Sequence, residues 1–72
     1  MNDIEHILIS VNGKPQSIPL RTNLAMVIAN AQLVAEAVAT AVNDEFVARN
    51  DRVARELLAG DAVFTFQAIT GG

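Results

Sequence analysis

The chain of 72 residues contains no cysteine, so neither a disulfide framework nor a thiolate metal site supplements its core, and thiol chemistry must belong to a partner. Aromatic side chains are scarce too. There are three, all Phe, which leaves Val, Ile, Leu and Ala to build the interior. The single histidine, His6, makes no metal site alone and reads as a partly exposed strand residue. Positive charge is sparse, with five basic residues against eight acidic, a formal charge of −3 and no basic cluster; this argues against nucleic acid as a partner. No apolar run approaches the length of a membrane span, and Asp3 and Glu5 stand where a secretory signal would place Lys or Arg. A soluble cytoplasmic protein with no membrane partner is the expectation. No Ser-His-Asp set, carboxylate pair or glycine-rich phosphate loop marks an enzyme, and no bound cofactor is expected.

What is present is a globular composition, 51% hydrophobic, in a length that admits one domain. In EHILISV, residues 5–11, Ile7, Ile9 and Val11 share one face and run into Asn12-Gly13, a strong hairpin signal. In QSIPL, Ile18 and Leu20 face one way, while Pro19 lacks a backbone donor and places this second strand at an edge or bulge. Thr22 or Asn23 can cap a helix from Leu24, along which Leu24, Val27, Ile28 and Ala31 form an apolar stripe. The end of that helix is ambiguous. The stretch AQLVAEAVATAV has neither Gly nor Pro, so propensity allows one helix from Leu24 to Val42. The alternative ends it near Leu33 and makes 38–42 a strand with Val38, Thr40 and Val42 on one face. Asn43-Asp44-Glu45 is turn chemistry before Phe46-Val47 restarts extended structure. Asn50 or Asp51 can cap a short helical turn through Val53 and Leu57, with Arg52 and Glu56 spaced for an exposed pair. Ala59-Gly60-Asp61 then turns into AVFTFQAI, a last strand in which Val63 and Thr65 alternate with Phe64 and Phe66.

This order predicts an α+β fold, a β-grasp or ubiquitin-like roll with a mixed sheet of four to five strands, one main helix and a short helical turn. The domain is assigned to residues 1–69, and residues 70–72 to a flexible tail ending in Gly-Gly. Glycine loses more conformational freedom on ordering than any other residue, so Gly71-Gly72 is a poor end for a strand. Either the pair is padding or the terminus is used.

The segments VATAVNDEFVAR, Val38 to Arg49, and LLAGDAVFTFQAITGG, Leu57 to Gly72, resemble the ThiS family, the sulfur carriers of thiazole biosynthesis for thiamine. A Val-Ala-rich strand into Asn, a reversal, a piece closing on Arg, Leu before Gly-Asp, a last strand and Gly-Gly occur in the family's order. VNGKP at Val11 to Pro15 and the helix opened by Thr22 extend the likeness over nearly the whole chain, and the likeness favours a strand at Val38. Ala48 departs from it, standing where the family usually has Pro before Arg49.

The resemblance implies a carrier, a cosubstrate without catalytic activity, whose Gly72 carboxylate is adenylated with ATP by an E1-like adenylyltransferase of the ThiF type. A persulfide donor then converts the acyl adenylate to a thiocarboxylate, which serves a thiazole synthase of the ThiG type. Gly71 and Gly72, lacking Cβ atoms, can thread a narrow channel. Thr70, Ile69, Phe66 and Phe64 are the further candidate partner contacts, and the free protein is expected to be a monomer. For the Phe64 and Phe66 pair, core packing and an outward docking patch stay equally open, since Val63 and Thr65 occupy the opposite face. Arg49, Arg52 and Arg55 read as a solvated edge, with acidic residues of the adenylating enzyme as the lesser alternative. Asn12-Gly13 and Gly60-Asp61 read as turns alone. Competing functions are the small subunit of molybdopterin synthase, with the same tail chemistry, a protein modifier joined to lysine amines, and a β-grasp interaction module without carrier chemistry.

Overall fold

The computed structural model describes residues 4–67. The alternation in HILISV becomes β1, His6–Val11, which reverses at Asn12-Gly13 into antiparallel β2, Lys14–Pro19. Both turn residues hold positive φ, 53° and 84°, as a two-residue type I′ hairpin requires and as Asn and Gly adopt at least cost. Ile9 and Ile18 are buried, with Ile7 and Val11 packed beside them. Leu20, expected to share the face of Ile18, lies beyond β2 and is exposed. The chain leaves the strand through Arg21 at φ 74°, and this left-handed residue ends the alternation.

Of the two candidate caps, Asn23 is the one used, its Oδ1 accepting from the Met26 N–H at 2.9 Å. Thr22 is instead buried and donates to the Pro19 carbonyl at 2.6 Å. The helix, α1, runs only from Leu24 to Asn30 and buries Leu24, Val27 and Ile28; Ala31, expected in the stripe, is exposed. Its end is a Schellman closure: the Leu33 N–H reaches the Ile28 carbonyl at 3.3 Å and the Gln32 N–H that of Ala29 at 3.0 Å. Gln32, at φ 60°, occupies the position where glycine is usual. A 3₁₀ turn at Ala35–Ala37 leads into β3, Val38–Val42, so the strand alternative holds, with Val38, Thr40 and Val42 buried.

Asn43 and Asp44, at φ 52° and 69°, make a second tight reversal into β4, Glu45–Val47. The helical turn expected through Leu57 is confined to a 3₁₀ turn at Arg49–Asp51. Beyond it the chain crosses the start of α1, where the Leu24 N–H bonds the Arg55 carbonyl and the Leu57 N–H that of Thr22, each at 2.9 Å. The last strand, β5, Ala62–Gln67, inserts between β1, to which it is parallel, and β3, to which it is antiparallel. The order β2-β1-β5-β3-β4, with α1 packed on one face, is the expected β-grasp roll. Leu24, Val27, Leu57, Val42, Val63, Ile9, Ile18 and Val47 form its core.

Two turns do more than reverse the chain. Asn12 Nδ2 donates to Thr65 Oγ1 at 3.0 Å and Asn12 Oδ1 accepts from the Thr65 N–H at 2.9 Å, extending the β1 to β5 pairing with a side chain. Asp61 is buried, its carboxylate accepting from the Leu58 N–H at 2.8 Å and from Asn43 Nδ2 at 2.9 Å, while Asn43 Oδ1 accepts from the Ala62 N–H at 3.0 Å. Asn43→Ala should therefore cost about 2 kcal/mol in urea unfolding, from a depleted buried carboxylate and an alanine held at positive φ. Asn43→Gly, which relieves the backbone alone, should fall between alanine and wild type. Equal losses for the two would show that the side-chain bonds carry the whole effect.

Candidate functional site

In β5 Val63 is fully buried and Thr65 half-buried, so Phe64 and Phe66 point outward from the sheet, away from α1, and are 37% and 57% exposed. Of the two orientations open in the sequence, the outward one is adopted. The register sets Phe64 opposite Ala41 and Phe66 opposite Ala39, and it sets Ala41 also opposite Phe46 of β4, which is 69% exposed. All three aromatic residues of the chain thus lie on the sheet face that the helix leaves open, with two alanines between them, and Leu8 of β1 is exposed on the same face. Phe46 was not singled out from the sequence. Its signal was the pairing of a buried Val47 with an outward neighbour across a three-residue strand, visible only once the register is known.

The tail leaves from one end of this face. Gln67, the last described residue, pairs with Val38 at the start of β3. Ile69, Thr70, Gly71 and Gly72 lie outside the described residues. Beneath the exit sits Arg52, read from the sequence as part of a solvated edge but only 3% exposed. Its Nη2 donates to the Val38 carbonyl at 2.6 Å, Nη1 to the Ala35 carbonyl at 3.1 Å, and Nε to Thr40 Oγ1 at 3.1 Å. Thr40 Oγ1 in turn donates to the Val47 carbonyl at 2.9 Å. One planar guanidinium therefore ties the 3₁₀ turn before β3, β3 itself and, through Thr40, β4 into a rigid platform under the exit. The expected pair of Arg52 with Glu56 does not form. Among the described residues the one ion pair is Arg55 with Asp61, at 3.9 Å.

His6 is exposed, with Nδ1 2.8 Å from the Ile4 carbonyl, and among the described residues no three His, Cys, Asp or Glu side chains are grouped to hold a metal. No helix among them is long and apolar enough to cross a membrane. The arrangement presents an aromatic face and, at its edge, the strand end from which the tail departs.

The model of the ThiS family matches residues 6–72, a span that includes the face, the platform and both terminal glycines. The chain belongs to the ThiS family. A crystal structure of the thiamine biosynthesis protein ThiS from Geobacter metallireducens is similar to it with a TM-score of 0.80 and 28% identity, covering 92% of this chain and 100% of that one. No curated protein is matched by sequence. The family resemblance carried by VATAVNDEFVAR and the Gly-Asp turn is thus borne out, and so is the roll.

Proposed function

We propose that this ThiS-family chain carries sulfur for the thiazole of thiamine as a thiocarboxylate on Gly72. Membership of the family supports a sulfur-carrier role in thiamine biosynthesis, and the match running through Gly71-Gly72 is the observation that carries the reading to the tail. A carboxylate is a poor electrophile. Attack of the Gly72 carboxylate on ATP, catalysed by a ThiF-type adenylyltransferase, gives an acyl adenylate and pyrophosphate. The ionised terminal sulfur of a persulfide then attacks the acyl carbon and AMP leaves. Two thiol equivalents of reductant then cleave the acyl disulfide at its S–S bond. The first displaces the thiocarboxylate of Gly72 and forms a mixed disulfide with the donor, and the second frees the donor thiol as the reductant becomes a disulfide. With no cysteine, the carrier offers its own activated end no competing thiol. A ThiG-type thiazole synthase takes the sulfur. In this scheme Phe64 and Phe66 dock the partners while Ile69, Thr70, Gly71 and Gly72 enter the partner's channel, and the chain itself catalyses nothing.

Intact mass after incubation with ATP, the adenylyltransferase, a persulfide donor and reductant tests this. The expected change replaces one oxygen by sulfur, and deletion of Gly72 should abolish it while leaving binding to the adenylyltransferase measurable. An unchanged mass, with the same components active on another carrier, would overturn the reading.

A further inference from the structure

We propose that Arg49 and Phe46 form a receptor for an acidic side chain of the protein that activates the tail, an inference that rests on the carrier reading above. Next to β4 lies an open groove of about 310 Å³ whose lining includes Glu36, Val38, Phe46, Ala48, Arg49 and Arg52. Val38 is the residue paired with Gln67, so the groove opens at the end of the sheet from which the tail departs. A protein that draws the tail into its own pocket must lie against this end. The groove continues the docking face described above, since Phe46 belongs to both.

The charges at the groove are unbalanced. Arg49 is exposed, and among the described residues its guanidinium has neither a hydrogen bond nor a carboxylate within 4.0 Å. Arg52 behind it makes all three of its hydrogen bonds to neutral oxygens. Among the described residues, two cations that are in no ion pair and one carboxylate, Glu36, thus line one groove of a chain whose formal charge is −3. Glu36, the one carboxylate in this lining, is exposed and also lines the neighbouring hollow beside Phe66 and Gln67. An incoming carboxylate would find a planar donor in Arg49, backed by the field of Arg52, against an aromatic wall that keeps water from one side of the pair. Charge complementarity of this kind selects the partner and sets encounter, while the apolar face supplies the bulk of the contact.

The test is the kinetics of adenylation by a ThiF-type enzyme as a function of carrier concentration, at low and high salt. Arg49→Ala should raise the KM for the carrier about tenfold at low salt with kcat unchanged, the gap should narrow at high salt, and Arg49→Lys should recover part of the loss. Arg21→Ala removes another exposed base, on the loop after β2, and should leave KM unchanged. An unchanged KM for Arg49→Ala, or the same rise for Arg21→Ala, would overturn the inference while leaving the carrier reading intact. A shift in kcat with constant KM would overturn it as well. A wild-type chain that is not adenylated by an enzyme active on another carrier would overturn both.

Discussion

Arg52→Ala is expected to destabilise the domain by about 3 kcal/mol, although a charged residue in a turn would ordinarily be replaceable at little cost. The side chain is 3% exposed and donates to the carbonyls of Ala35 and Val38 and to Thr40 Oγ1. Truncation leaves these acceptors short of a donor and opens a void between the 3₁₀ turn and β3. Each buried acceptor left unpaired costs roughly 1–3 kcal/mol. Part of the loss is offset because a buried cation, with no carboxylate partner among the described residues, has itself been desolvated at a cost. Arg52→Met, which fills the void but donates nothing, should therefore fall between alanine and wild type. For a domain of this size each kcal/mol moves the midpoint by roughly 4–8 °C, so thermal unfolding should show a drop of about 15 °C. Val53→Ala, at the exposed neighbouring residue, should stay within about 0.5 kcal/mol of wild type. An Arg52→Ala loss as small as that of Val53→Ala would mean that desolvation cancels the hydrogen bonds and that the platform under the tail exit is held by other contacts.

Arg52 also shows why some of this molecule was legible in its sequence and some was not. The hairpins were legible, because Asn12-Gly13 and Asn43-Asp44 are residue types that tolerate positive φ and sit between alternating apolar stretches. The end of α1 was not. Helix stops are read from Gly or Pro, and here the left-handed position belongs to Gln32, while the closing bonds to Ile28 and Ala29 are backbone groups that leave no mark on composition. Only the family resemblance favoured a strand at Val38. The burial of Arg52 had no local signal either, since it arises from closure of the 3₁₀ turn over a strand more than ten residues earlier. Asn12 and Asp61 were read correctly as turn residues, but the bonds of Asn12 to Thr65 and of Asp61 to Asn43 depend on β5 lying between β1 and β3, a tertiary fact.

The candidate site divides in the same way. Alternation in AVFTFQ showed that Phe64 and Phe66 share a face, but not which face is inward, because Val63 and Thr65 offered the core a plausible alternative. The structure settles the orientation through packing: a small interior already filled by Leu24, Leu57, Val27 and Val42 takes Val63 and the compact Thr65, and leaves the two rings outside over Ala39 and Ala41. Single exposed apolar residues need no explanation, but three phenylalanines grouped around Ala39 and Ala41 on one sheet face form a surface of the kind that marks an interface.

If that surface is where the activating enzyme docks, replacing both rings should remove binding without harming the fold. Phe64→Thr combined with Phe66→Thr is the suitable variant, because threonine keeps the β-branched preference of a strand and the small Thr65 between them is untouched. Neither ring is buried, so the cost in urea unfolding should stay near 1 kcal/mol. An aromatic anchor at the centre of an interface contributes on the order of 2 kcal/mol, and two of them lost together predict a fall in affinity of about a hundredfold or more, measured by calorimetric titration against the adenylyltransferase. The loss should survive high salt, since it comes from apolar contact, whereas the loss in Arg49→Ala should fade there. That difference separates the two contributions within one interface. A doubly substituted carrier that binds as tightly as wild type would move the contact off the sheet face and leave the three outward phenylalanines without a role in docking.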